Sequence, residues 1–85
     1  MIARQLVLYG RPECHLCDEA RDILDGLVAE AGDVVMIVRN IEEDDDLHRR
    51  FLERIPVIEL EGHIIGELVP DAQRLRSTLL NTSTR

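Results

Sequence analysis

Residues 9–20, YGRPECHLCDEA, contain both cysteines of this 85-residue chain, Cys14 and Cys17. The apolar run QLVLY at 5–9 predicts a buried strand, and the Gly-Arg-Pro sequence at 10–12 predicts a turn after it. Apolar residues then recur at helical spacing from about the first cysteine onward. The cysteine pair is therefore predicted at the point where a strand ends and a helix begins.

The rest of the chain has the pattern of a small α/β domain. The first helix is expected to end at Ala31, before Gly32, and the run VVMIV at 34–38 predicts a central strand with both faces covered. The further elements are a helix at about Asp45–Glu53, strands at Val57–Leu60 and His63–Ile65 around a Glu61-Gly62 turn, and a last helix capped by Asp71. This order, β-α-β-α-β-β-α, predicts a four-stranded mixed sheet with helices on both faces. We expect one domain over residues 1–80 and a frayed tail at 81–85.

The acidic run EEDDD at 42–46 permits two interpretations. It could form a docking patch for a basic partner. Alternatively, it supplies the acidic first turn of the helix near Asp45, where carboxylates stabilise the positive end of the helix dipole. We favour the helix turn because charge runs of this kind usually belong to solvated faces.

The composition excludes several functional classes. The 10 basic and 17 acidic residues give a net charge of −7, which disfavours binding to nucleic acid. Every basic residue is arginine, so no lysine is available for Schiff-base or general-base chemistry. No apolar run approaches the ~20 residues of a membrane span. The apolar stretch within the first ten residues is too short for a secretory signal. We expect a cytoplasmic protein with no nucleic-acid or membrane partner.

The cysteine pair could be a structural staple, part of a metal site or a redox couple. A disulfide that closes a four-residue loop contributes roughly 2 kcal/mol, against about 4.7 kcal/mol for a 100-residue loop. A structural zinc usually takes four Cys or His ligands, and the three histidines of this chain have no paired spacing. We therefore expect no metal site within one chain, although a cluster shared between two chains stays open.

The redox interpretation explains the position of the pair. At the start of a helix, unpaired backbone N–H groups and the dipole stabilise a thiolate at Cys14, and Arg11 can add a positive charge. Cys17 lies one turn further on the same face, so the two can form a disulfide. We therefore assign Cys14 as the nucleophile and Cys17 as the resolving thiol.

Residues 9–17, YGRPECHLC, together with RIPV at 54–57, resemble the glutaredoxin-like branch of the thioredoxin superfamily. The resemblance spans nearly the whole predicted domain and implies a thioredoxin fold. It implies that Pro56 is the family's cis-proline facing the dithiol. It also implies that the Ile55 backbone binds an extended substrate, as in strand addition. Arg11 matches the basic residue that glutaredoxins carry before the active site.

Three departures from the glutaredoxin pattern concern the substrate. The dipeptide between the cysteines is His15-Leu16, where glutaredoxins usually have Pro-Tyr, and Arg54-Ile55 replaces Thr-Val. Residues 65–68 are IGEL, where glutaredoxins carry a Gly-Gly and an Asp that hold glutathione. We therefore expect weak activity with glutathione and better activity with protein disulfides.

Two side chains near the predicted site each permit two interpretations. An imidazolium at His15 would stabilise the Cys14 thiolate, or His15 is a surface residue turned to solvent, which we favour. Arg54 could join Arg11 in a basic rim that binds an anionic substrate, or form a surface salt bridge with a nearby carboxylate.

These observations predict a thiol-disulfide oxidoreductase that works as a monomer without a bound cofactor. Its substrate would be a disulfide-containing protein or a small thiol compound, and its reductant glutathione, another thiol or a reductase. Arg11, Arg54, Ile55 and Pro56 are the predicted substrate-binding residues. The alternatives are a non-catalytic thioredoxin-fold adapter, and an iron–sulfur or metal carrier that uses the CxxC across a dimer.

Overall fold

The computed structural model describes residues 3–81. Within them the elements are β1 Arg4–Gly10, α1 His15–Ala31, β2 Val34–Asn40, α2 Asp45–Phe51, β3 Val57–Leu60, β4 His63–Glu67 and α3 Ala72–Asn81. This is the predicted order of strands and helices. Asn81 is the last residue of α3, and the rest of the predicted frayed tail lies outside the described residues.

The four strands form one mixed sheet in the order β2-β1-β3-β4. Strand β1 is parallel to β2 and antiparallel to β3, and β3 is antiparallel to β4. The mixed sheet is as predicted, but the prediction that Val34–Val38 forms a central strand is wrong. Strand β2 lies at the edge, because β3 pairs with the other side of β1, and Val35, Ile37 and Val38 are exposed.

Helices cover both faces of the sheet, as predicted. On one face, Leu6 and Leu8 of β1 pack with Leu24 of α1 and with Leu75 and Leu79 of α3. The smaller core on the other face contains Tyr9, Ile41, Leu47, Phe51 and Val57. The rings of Tyr9 and Phe51 are 4.9 Å apart between centroids, so α2 packs on the end of β1 that precedes the cysteines.

The helix ends have the predicted chemistry. Helix α1 ends at Gly32, whose φ of 82° is a left-handed conformation that favours glycine, and the Gly32 N–H donates to the Val28 carbonyl at 3.1 Å. At the start of α3, the Asp71 carboxylate accepts the Arg74 N–H at 3.1 Å. These caps explain why local sequence was sufficient to place the end of α1 and the start of α3. Helix α2 ends at Phe51, two residues before its predicted end.

The acidic run at 42–46 belongs to helix starts. A 3₁₀ turn, Ile41–Glu43, was not predicted and comes directly before α2. The Asp44 carboxylate then caps α2 by accepting the N–H groups of Asp46 and Leu47, at 2.9 and 3.2 Å. The interpretation as an acidic first turn is confirmed.

A two-residue turn joins β3 and β4. Glu61 and Gly62 have φ values of 49° and 86°, both left-handed, as a type I′ hairpin turn requires. The predicted hairpin is therefore confirmed. Strand β4 extends two residues beyond its predicted end, to Glu67.

Candidate active site

Cys14 lies at the start of α1 and caps the helix with its sulfur. Its backbone is extended, with φ −110° and ψ 107°, and its Sγ accepts the backbone N–H of Cys17 at 3.1 Å. A thiolate at this position would face the unpaired N–H groups and the positive end of the helix dipole. The structure thus places the Cys14 sulfur at a position where a thiolate would be stabilised.

The second cysteine is bonded to the first and is less accessible. A disulfide joins Cys14 and Cys17, whose Cα atoms are 5.2 Å apart. Cys14 is half-buried, whereas only 6% of Cys17 is exposed to solvent. Cys14 is therefore the more exposed residue of the pair, and the roles assigned to the two cysteines from the sequence stay a prediction.

Gly10, the last residue of β1, makes room for the buried cysteine. A Cβ atom added to Gly10 would lie 3.0 Å from the Cys17 Sγ and 3.1 Å from its Cβ, closer than ordinary packing permits. Sequence reasoning assigned Gly10 only to a turn and missed this contact. The available signal was a glycine at a strand end, which often marks a close approach of another group.

Pro56 lies at the same end of the sheet as the cysteines. Tyr9 pairs with Val57 in the antiparallel β1–β3 ladder, so Pro56 lies one position beyond this pair, beside Gly10. The Ile55–Pro56 peptide bond is cis. The sheet thus brings together the segments that contain the cysteines and the proline, which are separated by about forty residues in the sequence.

The segment before Pro56 has a free backbone group. Among the described residues, no hydrogen bond reaches the N–H or the carbonyl of Ile55, whereas the Leu68 N–H donates to the carbonyls of Arg54 and Pro56, both at 3.1 Å. Leu68 has a φ of 67°, a left-handed conformation that is uncommon outside glycine. Within residues 3–81 the Ile55 backbone is therefore unpaired, and its role in substrate binding stays a prediction.

The two predicted basic residues are not equally available. Arg54 donates to Glu67 Oε2 from Nε at 3.2 Å and from Nη2 at 2.6 Å, so the surface salt bridge is the arrangement that the structure has. This hydrogen bond lowers the pKa of the Glu67 carboxyl below its usual value. Within the described residues, the one polar contact of the Arg11 side chain is a long ion pair with Glu42, with 3.9 Å between Nη1 and Oε2. Arg11 is thus the freer cation.

A groove of about 240 Å³ borders the buried cysteine on the β2 side. Its residues are Leu8, Gly10, Arg11, Pro12, Cys17, Asp18, Arg21, Val38, Arg39 and Asn40. Three of these residues are arginines and one is an aspartate, so the groove beside Cys17 is mainly lined by positive charge on a chain whose net charge is −7. Sequence reasoning identified Arg11 but missed Arg21 and Arg39, because only the fold brings α1 and the end of β2 together.

The residues between the cysteines face solvent. His15 is exposed and its Nε2 lies 3.3 Å from Glu19 Oε2, one helical turn away, which agrees with the favoured interpretation of a surface histidine. Leu16 is also exposed and adds apolar surface beside Cys14. Within residues 3–81, no three His, Cys, Asp or Glu side chains are grouped so as to hold a metal ion. None of the helices in this part of the chain is long and apolar enough to cross a membrane.

Comparison with solved structures shows extensive similarity. A protein from Nitrosomonas europaea has 30% identity and a TM-score of 0.76, covering 93% of this chain and 94% of that one. A protein from X. campestris has 33% identity and a TM-score of 0.69, over 87% of this chain and 93% of that one. Oxidised mitochondrial thioredoxin 3 from Saccharomyces cerevisiae shares the fold at 16% identity, with a TM-score of 0.71 over 95% and 80% of the two chains. No curated protein is similar enough to count as a match.

A family model gives the same result. The model described as "Glutaredoxin-like domain (DUF836)" matches residues 5–80, which include both cysteines and Pro56. The match agrees with the thioredoxin-fold neighbours and with the predicted resemblance. This chain belongs to the glutaredoxin-like family of the thioredoxin superfamily.

Proposed function

We propose that this protein is a dithiol thiol-disulfide oxidoreductase. The observation that carries the proposal is the position of Cys14, which is accessible at the start of α1 and bonded to the buried Cys17. A helix start stabilises a thiolate, and a second thiol within bonding distance can complete the exchange. A disulfide with a purely structural role would not require that its more exposed cysteine lie at the start of a helix.

The proposed reaction transfers two electrons from the dithiol to the substrate. The Cys14 thiolate attacks one sulfur of the substrate disulfide, forming a mixed disulfide and releasing the other substrate sulfur as a thiolate. Cys17 loses its proton and attacks the Cys14 sulfur, which releases the second substrate thiolate. The protein is left with the Cys14–Cys17 disulfide, and a separate thiol reductant or a reductase restores the dithiol.

We infer that protein disulfides are better substrates than glutathione disulfides. The free Ile55 backbone before Pro56 can pair with an extended polypeptide, and exposed Leu16 gives apolar contact beside Cys14. The Arg54–Glu67 ion pair lies at the end of β4. Glutaredoxins carry at this place the Gly-Gly and Asp residues that hold glutathione. Arg11, the freer cation, would attract an acidic group of the substrate. No bound cofactor is part of this proposal.

A comparison of two reductase assays tests the proposed activity. In the presence of dithiothreitol, the protein should accelerate the reduction of insulin disulfides well above the rate with dithiothreitol alone. The glutathione-coupled reduction of a small disulfide should be weak. The control is the double variant Cys14→Ser with Cys17→Ser, which should be inactive in both assays.

Each unexpected outcome of these assays has a definite meaning. Turnover with glutathione equal to that of a dithiol glutaredoxin would overturn the substrate preference but keep the chemistry. No acceleration in either assay would favour the alternative of a non-catalytic thioredoxin-fold adapter. Brown colour and bound iron in protein purified without oxygen would favour the cluster carrier.

A further inference from the structure

The edge strand β2 exposes apolar surface that the fold of one chain leaves uncovered. Val35, Ile37 and Val38 are 52%, 39% and 45% exposed. Strand β2 has β1 on one side, and no other strand within residues 3–81 pairs with its outer side. Natural proteins usually blunt such edges with charge, proline or a covering segment, because an open apolar edge pairs with other strands.

The backbone groups that point outward from β2 can be identified. The Arg4 N–H donates to the Asp33 carbonyl at 2.8 Å, and Arg4 is opposite Val34 in the parallel ladder. Backbone groups point to alternate sides along a strand, so the odd-numbered residues of β2 bond to β1. The N–H and carbonyl groups of Val34, Met36 and Val38 therefore point outward and are available to a second strand.

We propose that two copies of this chain pair through their β2 strands, antiparallel and centred on Met36. The two Met36 residues then face each other, and each Val34 faces Val38 of the second copy, so these three residues of each copy form ladder hydrogen bonds. The inference goes beyond the proposed redox function and does not rest on it. It also replaces the sequence-based expectation of a monomer.

The side chains favour this register over its neighbours. Centred on Met36, exposed Val35 lies opposite Ile37 of the second copy, and Asp33 lies opposite Arg39. Cross-strand pairs of apolar residues and of opposite charges both stabilise a sheet. A register centred on Val35 would instead place Asp33 opposite Ile37, and one centred on Ile37 would place Val35 opposite Arg39.

Charge and edge geometry support β2 as the paired strand. The Asp33 carboxylate already accepts from Arg4 Nε and Nη2, at 3.2 and 2.9 Å, so Arg39 of the second copy would join an existing ion pair. Both Asp33–Arg39 pairings would bring opposite charges together between copies that each carry a net charge of −7. The other edge strand, β4, is two residues shorter and has an irregular register with β3 beside Ile58 and Glu59. A bulged edge is less suited to regular pairing.

Sedimentation velocity under reducing conditions tests the proposal, since disulfide-linked species are then absent. A strand-pairing interface of this size is small, so the mass should rise toward twice 9.7 kDa as the protein concentration increases from about 10 to 500 µM. Ile37→Lys and Arg39→Asp should each remain monomeric over the whole range. Far-ultraviolet circular dichroism would verify that both variants are folded.

Two matched controls isolate the β2 edge. Ile64→Lys makes the same change at an exposed position of the other edge strand, and Arg49→Asp makes the same charge change on α2. Both controls should dimerise like the parent protein. A parent protein that stays monomeric throughout, or controls that dissociate as fully as the β2 variants, would overturn the proposal.

Discussion

Replacing Cys14 with serine is expected to reduce the rate of insulin reduction to that of dithiothreitol alone. The reason is that Cys14 supplies the sulfur that attacks the substrate, and a serine hydroxyl does not undergo disulfide exchange. Serine is among the best helix-capping residues, so the start of α1 should stay intact. The rate of insulin reduction and the far-ultraviolet circular dichroism spectrum are the two measurements.

The matched variant Cys17→Ser should fail at a different step, which is seen when the reduced variant is mixed with a substrate disulfide in the absence of any other thiol. It keeps Cys14, so it should still attack the substrate disulfide, but no second thiol is then present to release the product. The mixed disulfide should accumulate as a covalent complex that migrates slowly on a non-reducing gel and disappears with dithiothreitol. Trapping by Cys14→Ser, or equal trapping by both variants, would show that the roles of the two cysteines are wrongly assigned.

The second large effect is expected at Phe51, the fully buried aromatic residue of the core under α2. Its ring packs on Tyr9, and the guanidinium groups of Arg50 and Arg54 lie 4.8 and 5.4 Å from its centroid. Phe51→Ala should lower the free energy of unfolding by about 3–5 kcal/mol, because it removes buried apolar surface and leaves a cavity. In a domain of this size that loss lowers Tm by about 12 °C or more.

Chemical denaturation with urea provides the measurement, and the neighbouring residue provides the control. Leu52 is partly exposed at the end of α2, so Leu52→Ala should cost much less than Phe51→Ala. Because Ile55 packs against the same core as Phe51, the Phe51 variant should also reduce activity under conditions where it is still folded. Equal stability of the two alanine variants would contradict the described packing of α2.

Local chemistry explains which parts of the fold were predictable from sequence. The limits of α1 depend on the turn before Cys14 and on Gly32, and the hairpin depends on Glu61-Gly62, so short stretches were sufficient for both. The position of β2 was not predictable in this way. A continuous apolar run is typical of a strand between two others, but where a strand lies depends on where β3 inserts, which is a non-local property.

The candidate site also has features that were predictable from local sequence and features that were not. The spacing of Cys14 and Cys17 and their position at the start of a helix were sufficient to identify the pair as a candidate redox site from the sequence. The contact between Gly10 and Cys17 and the convergence of Arg21 and Arg39 beside the dithiol depend on tertiary packing. Sequence also allowed a salt bridge at Arg54 but did not identify Glu67 as the partner, since the two residues meet only when β4 pairs with β3.

A measured reduction potential of the Cys14–Cys17 pair would decide whether this disulfide is redox-active or structural. The protein would be equilibrated in a series of dithiothreitol or glutathione redox buffers, and its free thiols would be counted by alkylation and mass spectrometry. We expect one two-electron transition with a midpoint between about −120 and −270 mV, the range of redox-active thioredoxin-fold dithiols. A midpoint below about −300 mV is typical of structural disulfides and would contradict the proposed redox function.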